Sequence, residues 1–472
     1  MTARASRWME HRFAERVAPA ERAPVAWAAL YGFCLMAGYY ILRSVREEMG
    51  VQSGLRKLPW LFTATWVTTL VANPLYAIWI GRVTRHSIIA GVNRFFALNV
   101  LAFLAGFALL PPRGDLVVAR VFFVWLTVFV LFAVSAFWGL MVDLFTTSQG
   151  RRLFGLISAG STAGAIAGSA ATAVLARHVG PVWMLAPAAL LLELAARCVG
   201  RIVRATPAPC ESGTTPVPPA ADGPPTPGAS VVSLPYARSV APHARAADLE
   251  LRHGGAFAGM QRTLSSRYLL FIAAYILLYA ITSTYAYSEQ LRLVNAWVHD
   301  SGRRTALFAR IDLFANVGAV LVQALLTAPL LATLGVGLSL LLMPLFTAGG
   351  FVALVAAPGL GVLFWFQALR RALDFAVAKP ARELLFTVVP RVDKYKAKGF
   401  IDTFVYRSAD AIGAWMYALL PLRDGAPHGL LTHVLPISAA WGAVCVWLGR
   451  RHLRTAGAKS ARPQNLAAAV TN

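Results

Sequence analysis

Apolar positions dominate the chain in runs of about 20 residues, punctuated by Arg, Gly and Pro. A run of that length crosses a bilayer core of about 30 Å as a helix. In hydrocarbon every backbone group must find its partner within the segment, so the runs predict helices, and the short alternating segments of a β-barrel are not seen. The pattern predicts membrane helices at 24–46, 58–81, 87–111, 117–145, 153–178 and 181–203. A second set is predicted at 267–290, 305–328, 332–356, 359–389, 398–421 and 427–449.

Between the sets lies 204–266, rich in Pro, Ala, Gly and Ser and containing Pro216, Pro218, Pro219, Pro224, Pro225 and Pro227. Such a stretch buries too little apolar surface to offset its ordering entropy, so it is expected to be a disordered linker. The predicted organisation is a tail (1–23), a six-helix half (24–203), the linker, a second six-helix half (267–449) and a tail (450–472). The expected fold class is an all-α polytopic membrane protein with twelve transmembrane helices, like the major facilitator superfamily.

Composition sharpens this picture. Hydrophobic residues make up 57% of the 472 positions and charged residues only 14%, against about 25% charged in soluble domains. The formal net charge of +23 would suggest nucleic-acid binding in a soluble protein. Here the bases gather at predicted helix ends, so no nucleic-acid partner is expected. Arg4, Arg7, Arg12, Arg16 and Arg22 in the first tail, Arg82 and Arg85, and Arg151 and Arg152 fall on one side of the predicted topology. By the positive-inside rule both termini are expected in the cytoplasm, in a bacterial inner membrane. Arg56, Lys57, Arg303 and Arg304 fall on the other side. The first 23 residues lack the apolar core of a cleavable signal. Of the four cysteines, Cys34, Cys198 and Cys445 fall in predicted helices and Cys210 in the linker. That spacing indicates neither a disulfide framework nor a metal site.

Charges inside membrane helices are expensive and point to function. The first helix ends Leu42-Arg43-Ser44-Val45-Arg46-Glu47-Glu48. Arg43 and Arg46 share a face, and Arg43 can pair with Glu47 four residues on. The tenth helix holds Arg370, Arg371, Asp374, Lys379, Arg382 and Glu383. Arg370–Asp374 and Lys379–Glu383 are spaced as helical pairs, which leaves Arg371 and Arg382 without local partners. Pro380 is expected to kink this helix. Asp402, Tyr406 and Asp410 repeat beside Arg407 in the eleventh helix, and Asp312, Asn316 and Gln323 share a stripe of the eighth. Asp402 and Asp410 are expected to neutralise bases when the site is empty. Each of these groups also has a plainer reading, as a snorkelling helix end or as polar glue between helices. Lone acids at Asp143 and Glu193, and a tyrosine face at Tyr268, Tyr275 and Tyr279, are read as structural. Gly160, Gly164 and Gly168 form a stripe that lets another helix approach closely.

No P-loop, HExxH or GxSxG motif occurs, so no enzymatic activity, cofactor or metal is expected.

Several segments resemble the ATP/ADP translocase family of plastids and obligate intracellular bacteria. Leu42-Arg43 and Arg46-Glu47 match its first-helix pattern, and Phe137-Trp138-Gly139 with Arg151-Arg152-Leu153-Phe154 resembles the segment joining its fourth and fifth helices. Lys379-Pro380-Ala381-Arg382-Glu383, then Lys394-Tyr395-Lys396-Ala397-Lys398 and Ile401-Asp402, match its late motif without a gap. Gln149 and Thr284 stand where that family carries acids. The resemblance implies a major-facilitator-like fold and transport of a phosphorylated anion. It implies substrate-binding roles for Arg46 and for one or more of Lys394, Lys396 and Lys398.

The combined expectation is a secondary transporter or exchanger of an organic phosphate, best guess ATP or ADP. Arg43, Arg46, Arg371 and Arg382 would hold its phosphate oxygens, with Asp402 and Arg407 beside them. Glu47, Gly160, Gly164, Gly168, Asp312, Glu383 and Asp410 would serve structure or gating. The expected partners are a small anionic solute and the bilayer, and a monomer is compatible with this layout. The alternatives are a carrier of another solute and a membrane scaffold without transport.

Overall fold

The computed structural model describes residues 17–80, 85–206, 258–420 and 428–470. Six helices come from the first half: Pro19–Gln52, Leu58–Ile80, Arg85–Leu109, Pro112–Leu144, Thr147–Val179 and Leu185–Ala205. The second half begins with Arg267–Trp297, Ser301–Leu325 and Thr327–Ala356. Its tenth helix is assembled from Leu360–Leu373, a π-helical turn Asp374–Ala378 and Lys379–Leu385. Its eleventh is assembled likewise from Arg391–Phe400, a π turn Ile401–Val405 and Tyr406–Ala418. The twelfth, His428–Val470, runs far beyond its expected end at 449. Eight of these helices are long and apolar enough to cross a membrane on their own composition. The tenth and eleventh, charged and broken by π turns, are not among them. Among the described residues the fold is all-α, twelve long helices in two sets of six, a layout like that of the major facilitator superfamily.

Successive helices run in opposite directions. The linker and the outer ends of the first and twelfth helices therefore lie on one face, called here the linker face. The turn after the first helix and the turn before the eighth lie on the opposite face. Gly54 and Gly180, with φ of 84° and 82°, make turns on that opposite face in backbone that glycine adopts freely.

Three apolar clusters hold the molecule together. One is built on the first half, around Leu35, Leu42, Phe122, Phe137 and Leu192, and takes in Ala306 of the eighth helix. A second lies within the second half, around Tyr275, Met343, Phe386 and Trp441. The third joins the halves at the opposite face, where Val51, Phe62 and Phe123 meet Leu291, Val294 and Phe308.

The glycine stripe packs as its spacing requires. A Cβ on Gly160, Gly164 or Gly168 would come within 2.5, 2.2 and 2.4 Å of the carbonyl oxygens of Ala29, Phe33 and Ala37 on the first helix. Backbone meets backbone over three successive turns.

Of the expected linker, 207–257 lie outside the described residues, and so does Cys210. The last part departs from the expectation: Ala258–Ser265 form a helix. It is held against Arg391–Phe400 by an Arg262–Asp393 ion pair and by Gly259, which abuts the Lys396 carbonyl. Composition missed it because its ordering comes from this tertiary contact and not from its own hydrophobicity.

Candidate functional site

The charged residues of the first, eighth, tenth and eleventh helices meet where the halves face each other. Asp312, 2% exposed, receives Arg371 Nη1 of the tenth helix and lies 3.3 Å from Arg43 Nε of the first. One carboxylate thus sits between two guanidiniums, one from each half, and the group keeps a net positive charge. Arg371 also donates to Gln290 at 3.3 Å. Beside them Tyr40 donates to Asn316 at 3.1 Å across the same interface.

This arrangement corrects the expected Arg43–Glu47 pair. Arg43 turns to the stronger partner on the neighbouring helix, and Glu47 makes no ion pair among the described residues. One buried Glu47 oxygen has no hydrogen-bond partner there.

Arg43, Arg46 and Arg407 line a single cavity of about 160 Å³, together with Tyr39, Leu126, Thr127 and Val130. Its walls come from the first and fourth helices of one half and the eleventh of the other. Arg46 donates to the Phe123 carbonyl at 3.2 Å and lies 3.9 Å from the Phe123 ring centre. Among the described residues it makes no ion pair, and Asp410 is a carboxylate whose charge reaches it from the eleventh helix. Arg407 pairs with Asp410 at 3.2 Å, and Thr284 donates to the same carboxylate at 3.3 Å. Two larger cavities, between the fifth, eighth and tenth helices and between the ninth and tenth, are mostly apolar and lie away from this chemistry.

The tenth helix departs from the expected pairing for a reason visible in its backbone. Its π turn changes the repeat from four residues to five, and the Lys379 N–H donates to the Asp374 carbonyl. Lys379 Nζ accordingly lies 3.9 Å from Asp374, five residues back, and not beside Glu383. Glu383 instead takes Lys398 of the eleventh helix at 2.5 Å. Arg370 does not pair with Asp374; it donates to Ser283 at 2.6 Å and to Thr347 at 3.3 Å. Pro380 has no N–H, so it cannot serve the carbonyls before it. Gln323 and Thr327 of the neighbouring helices do so, donating to Phe375 O at 3.0 Å and Ala376 O at 2.7 Å.

Arg382 makes no ion pair among the described residues, and its buried Nε has no partner there. Asp402 makes none either, although Arg382, Lys398 and Lys379 are the bases close enough for their charges to act on it. Lys396 and Lys398 lie on Arg391–Phe400, nearer the linker face, and neither lines the Arg43–Arg46–Arg407 cavity. The Lys394 side chain lies outside the described residues.

Glu193 joins Arg94 and Arg197 at 3.3 and 2.9 Å, and Tyr268, Tyr275 and Tyr279 pack within the second half, as their plainer readings expect. Gln149 completes a capping box with Thr146 at the start of the fifth helix. It also donates to Glu21 at 2.9 Å, and Arg152 does the same at 2.9 Å. The carboxylate beside Gln149 and Arg152 thus comes from the first helix.

A lock at the opposite face escaped the sequence reading. Glu48, fully buried, takes Arg304 through two donors at 2.8 and 2.6 Å, Ser301 at 2.9 Å and Gln52 at 3.0 Å. Its signal was present, since Arg304 stood on the side of the topology where bases are sparse. Trp415 adds a further tie between halves, donating to Thr63 at 3.1 Å.

No family model matches the sequence, and a search of curated proteins finds no match. Solved structures do match in shape. A bacterial homologue of the human lysosomal transporter Spinster, inward-facing and unoccupied, superposes with a TM-score of 0.56 at 12% identity, over 93% of this chain and 98% of its own. A variant of the peptide transporter POT gives 0.59 at 13% identity, over 90% and 95%. A D-xylose–proton symporter gives 0.56 at 12%, over 91% and 96%. At these identities the likeness is one of fold.

Proposed function

We propose that the chain is a secondary transporter of a small organic phosphate, working by alternating access, with ATP or ADP the leading candidate. The observation that carries this reading is the cavity shared by Arg43, Arg46 and Arg407 between the two halves. A guanidinium without a direct ion pair is unfavourable at membrane depth unless an anion repays it. Arg46 is such a group, and its planar fork suits phosphate oxygens. A volume of about 160 Å³ is below the roughly 300–1,000 Å³ of pockets for whole drug-sized ligands. In this state it suits the phosphoryl end of a substrate and not a complete nucleotide.

The transporter class is supported by the fold and by the names of its structural neighbours, which carry peptides or sugar. The nucleotide rests on the late-motif resemblance to the ATP/ADP translocases. In the proposed cycle, substrate phosphate competes with Asp312 for Arg43 and Arg371. Opening at the opposite face requires Glu48 and Arg304 to part. Lys396 and Lys398 would receive the anion near the linker face, with Lys398 leaving Glu383. A counter-substrate or a proton gradient would drive the exchange. The proposed setting is a bacterial inner membrane with both termini in the cytoplasm, and labelling of linker cysteines from outside the cell would refute that orientation.

The test is uptake into proteoliposomes of radiolabelled ATP, set against a panel of organic phosphates, sugars and peptides. Saturable uptake of a phosphate that is lost in Arg46→Ala supports the proposal. Uptake of a neutral solute alone, unaffected by Arg46→Ala, overturns it. No flux of any solute, with a stable protein partner on purification, favours a scaffold instead.

A further inference from the structure

Arg310 belongs to the eighth helix but not to the site. Together with Phe314, Val317 and Leu321 it forms a stripe at successive helical turns, and all four side chains are exposed. In a membrane-spanning helix such a stripe faces lipid. Arg310 lies nine residues below Ser301, roughly 14 Å along the axis, so it sits within the hydrocarbon thickness beneath the opposite face. Among the described residues it has no ion pair and no hydrogen bond. A charge at that depth requires either water or a counter-charge reached by snorkelling.

Beside it runs a groove of about 560 Å³, with Ala173 and Val174 of the fifth helix, Leu307 and Phe314 of the eighth and Phe364 of the tenth among its walls. The walls are apolar, and Arg310 is the charged residue among them. The two halves meet beside this groove, where a Cβ on Gly302 would stand 2.5 Å from the Ala176 carbonyl oxygen.

We propose that this groove binds one anionic phospholipid, with an acyl chain between the fifth, eighth and tenth helices and the headgroup phosphate on Arg310. Two observations select this occupant. The walls are apolar and continuous with the lipid-facing stripe, which suits an acyl chain and disfavours a water-soluble anion. The guanidinium carries an unmatched positive charge, which selects an anionic headgroup over a zwitterionic one. Because the walls come from both halves, the bound lipid favours the state in which the halves meet at this face.

The test uses the full-length protein in mixed micelles holding equal amounts of phosphatidylglycerol and phosphatidylcholine, with retained lipid counted by native mass spectrometry. The wild type is expected to retain one phosphatidylglycerol in preference to phosphatidylcholine. Arg310→Gln is expected to lower that retention about tenfold or more. Gly361 of the tenth helix is another wall of the groove, and a Cβ there meets no atom within 4 Å, so Gly361→Trp fills the groove and keeps the guanidinium; it should lower retention as well. Arg94→Gln, on the third helix and not among the groove's walls, should leave it unchanged. Equal retention of both lipids, full retention in Arg310→Gln, an equal loss in Arg94→Gln, or displacement by millimolar inorganic phosphate would each overturn the assignment.

Discussion

The first and fifth helices meet through Gly160, Gly164 and Gly168 with no side chain between their backbones. The tenth and eleventh each carry a π turn, several charges and a carbonyl or carboxylate served from elsewhere. The first pair is a contact with a single geometry, because any added atom collides with a carbonyl. The second is a pair of interrupted helices whose charged groups exchange partners across helix boundaries. Within one fold, rigidity comes from removing side chains and adaptability from irregular backbone, which lines sites in transporters of this general design.

That contrast can be broken most directly at the glycines. Gly164→Leu should remove most folded protein, beyond the roughly 1–3 kcal/mol of ordinary overpacking, because the clash is with the Phe33 backbone. Monodisperse yield and melting temperature read this, and normal folding would show that the first helix can yield. Next in size is Asp312→Ala, which leaves Arg43 and Arg371 facing each other. A loss of about 3–5 kcal/mol is expected for breaking a buried charge group this way. Adding Arg371→Leu should restore part of it, and a double-mutant cycle in melting temperature gives the share.

Arg46→Ala should act on binding and not on stability. Affinity for the transported anion should fall roughly 10–150-fold, the equivalent of a lost charge-assisted hydrogen bond of about 1.5–3 kcal/mol. Arg46→Lys should recover only part, since the fork is lost while the charge stays. Arg382→Ala should behave in the same way, because no ion pair is broken. Unchanged affinity in both alanine variants, measured beside unchanged melting temperatures, would end the case for these bases. The smallest effect belongs to Gln323→Ala, which frees the Phe375 carbonyl and should cost about 0.5–1.5 kcal/mol. A much larger loss would mean that the π turn itself depends on that one hydrogen bond.

The spans were readable because a 20-residue apolar run has few alternatives in a bilayer, and the glycine stripe because its four-residue period is a helical face. The ion pairs were read poorly. The i,i+4 rule assumes an α-helical repeat, and Asp374–Lys379 follows a π repeat that Pro380 only hints at. Asp312 draws Arg43 from the other half and Arg371 from its own, 59 positions on, a choice made by tertiary packing that sequence spacing does not show. Arg46 and Arg407 were singled out separately as charges in apolar helices; that they share one cavity is visible only after folding.

A π turn is an α-helix with one residue too many, accommodated as slack. Were the turn at Asp374–Ala378 to tighten into α geometry, everything below it would swing by about 100° and advance by roughly 1.5 Å along the axis. Lys379 and Arg382 would then point to a different quarter of the molecule while Arg370 and Arg371 stayed in place. The tenth helix is in this sense a shaft with a slip joint, able to reorient its lower charges without moving its upper ones. Spin labels above and below the joint would register that rotation as a change in separation, and a constant separation with and without substrate would show the joint to be fixed.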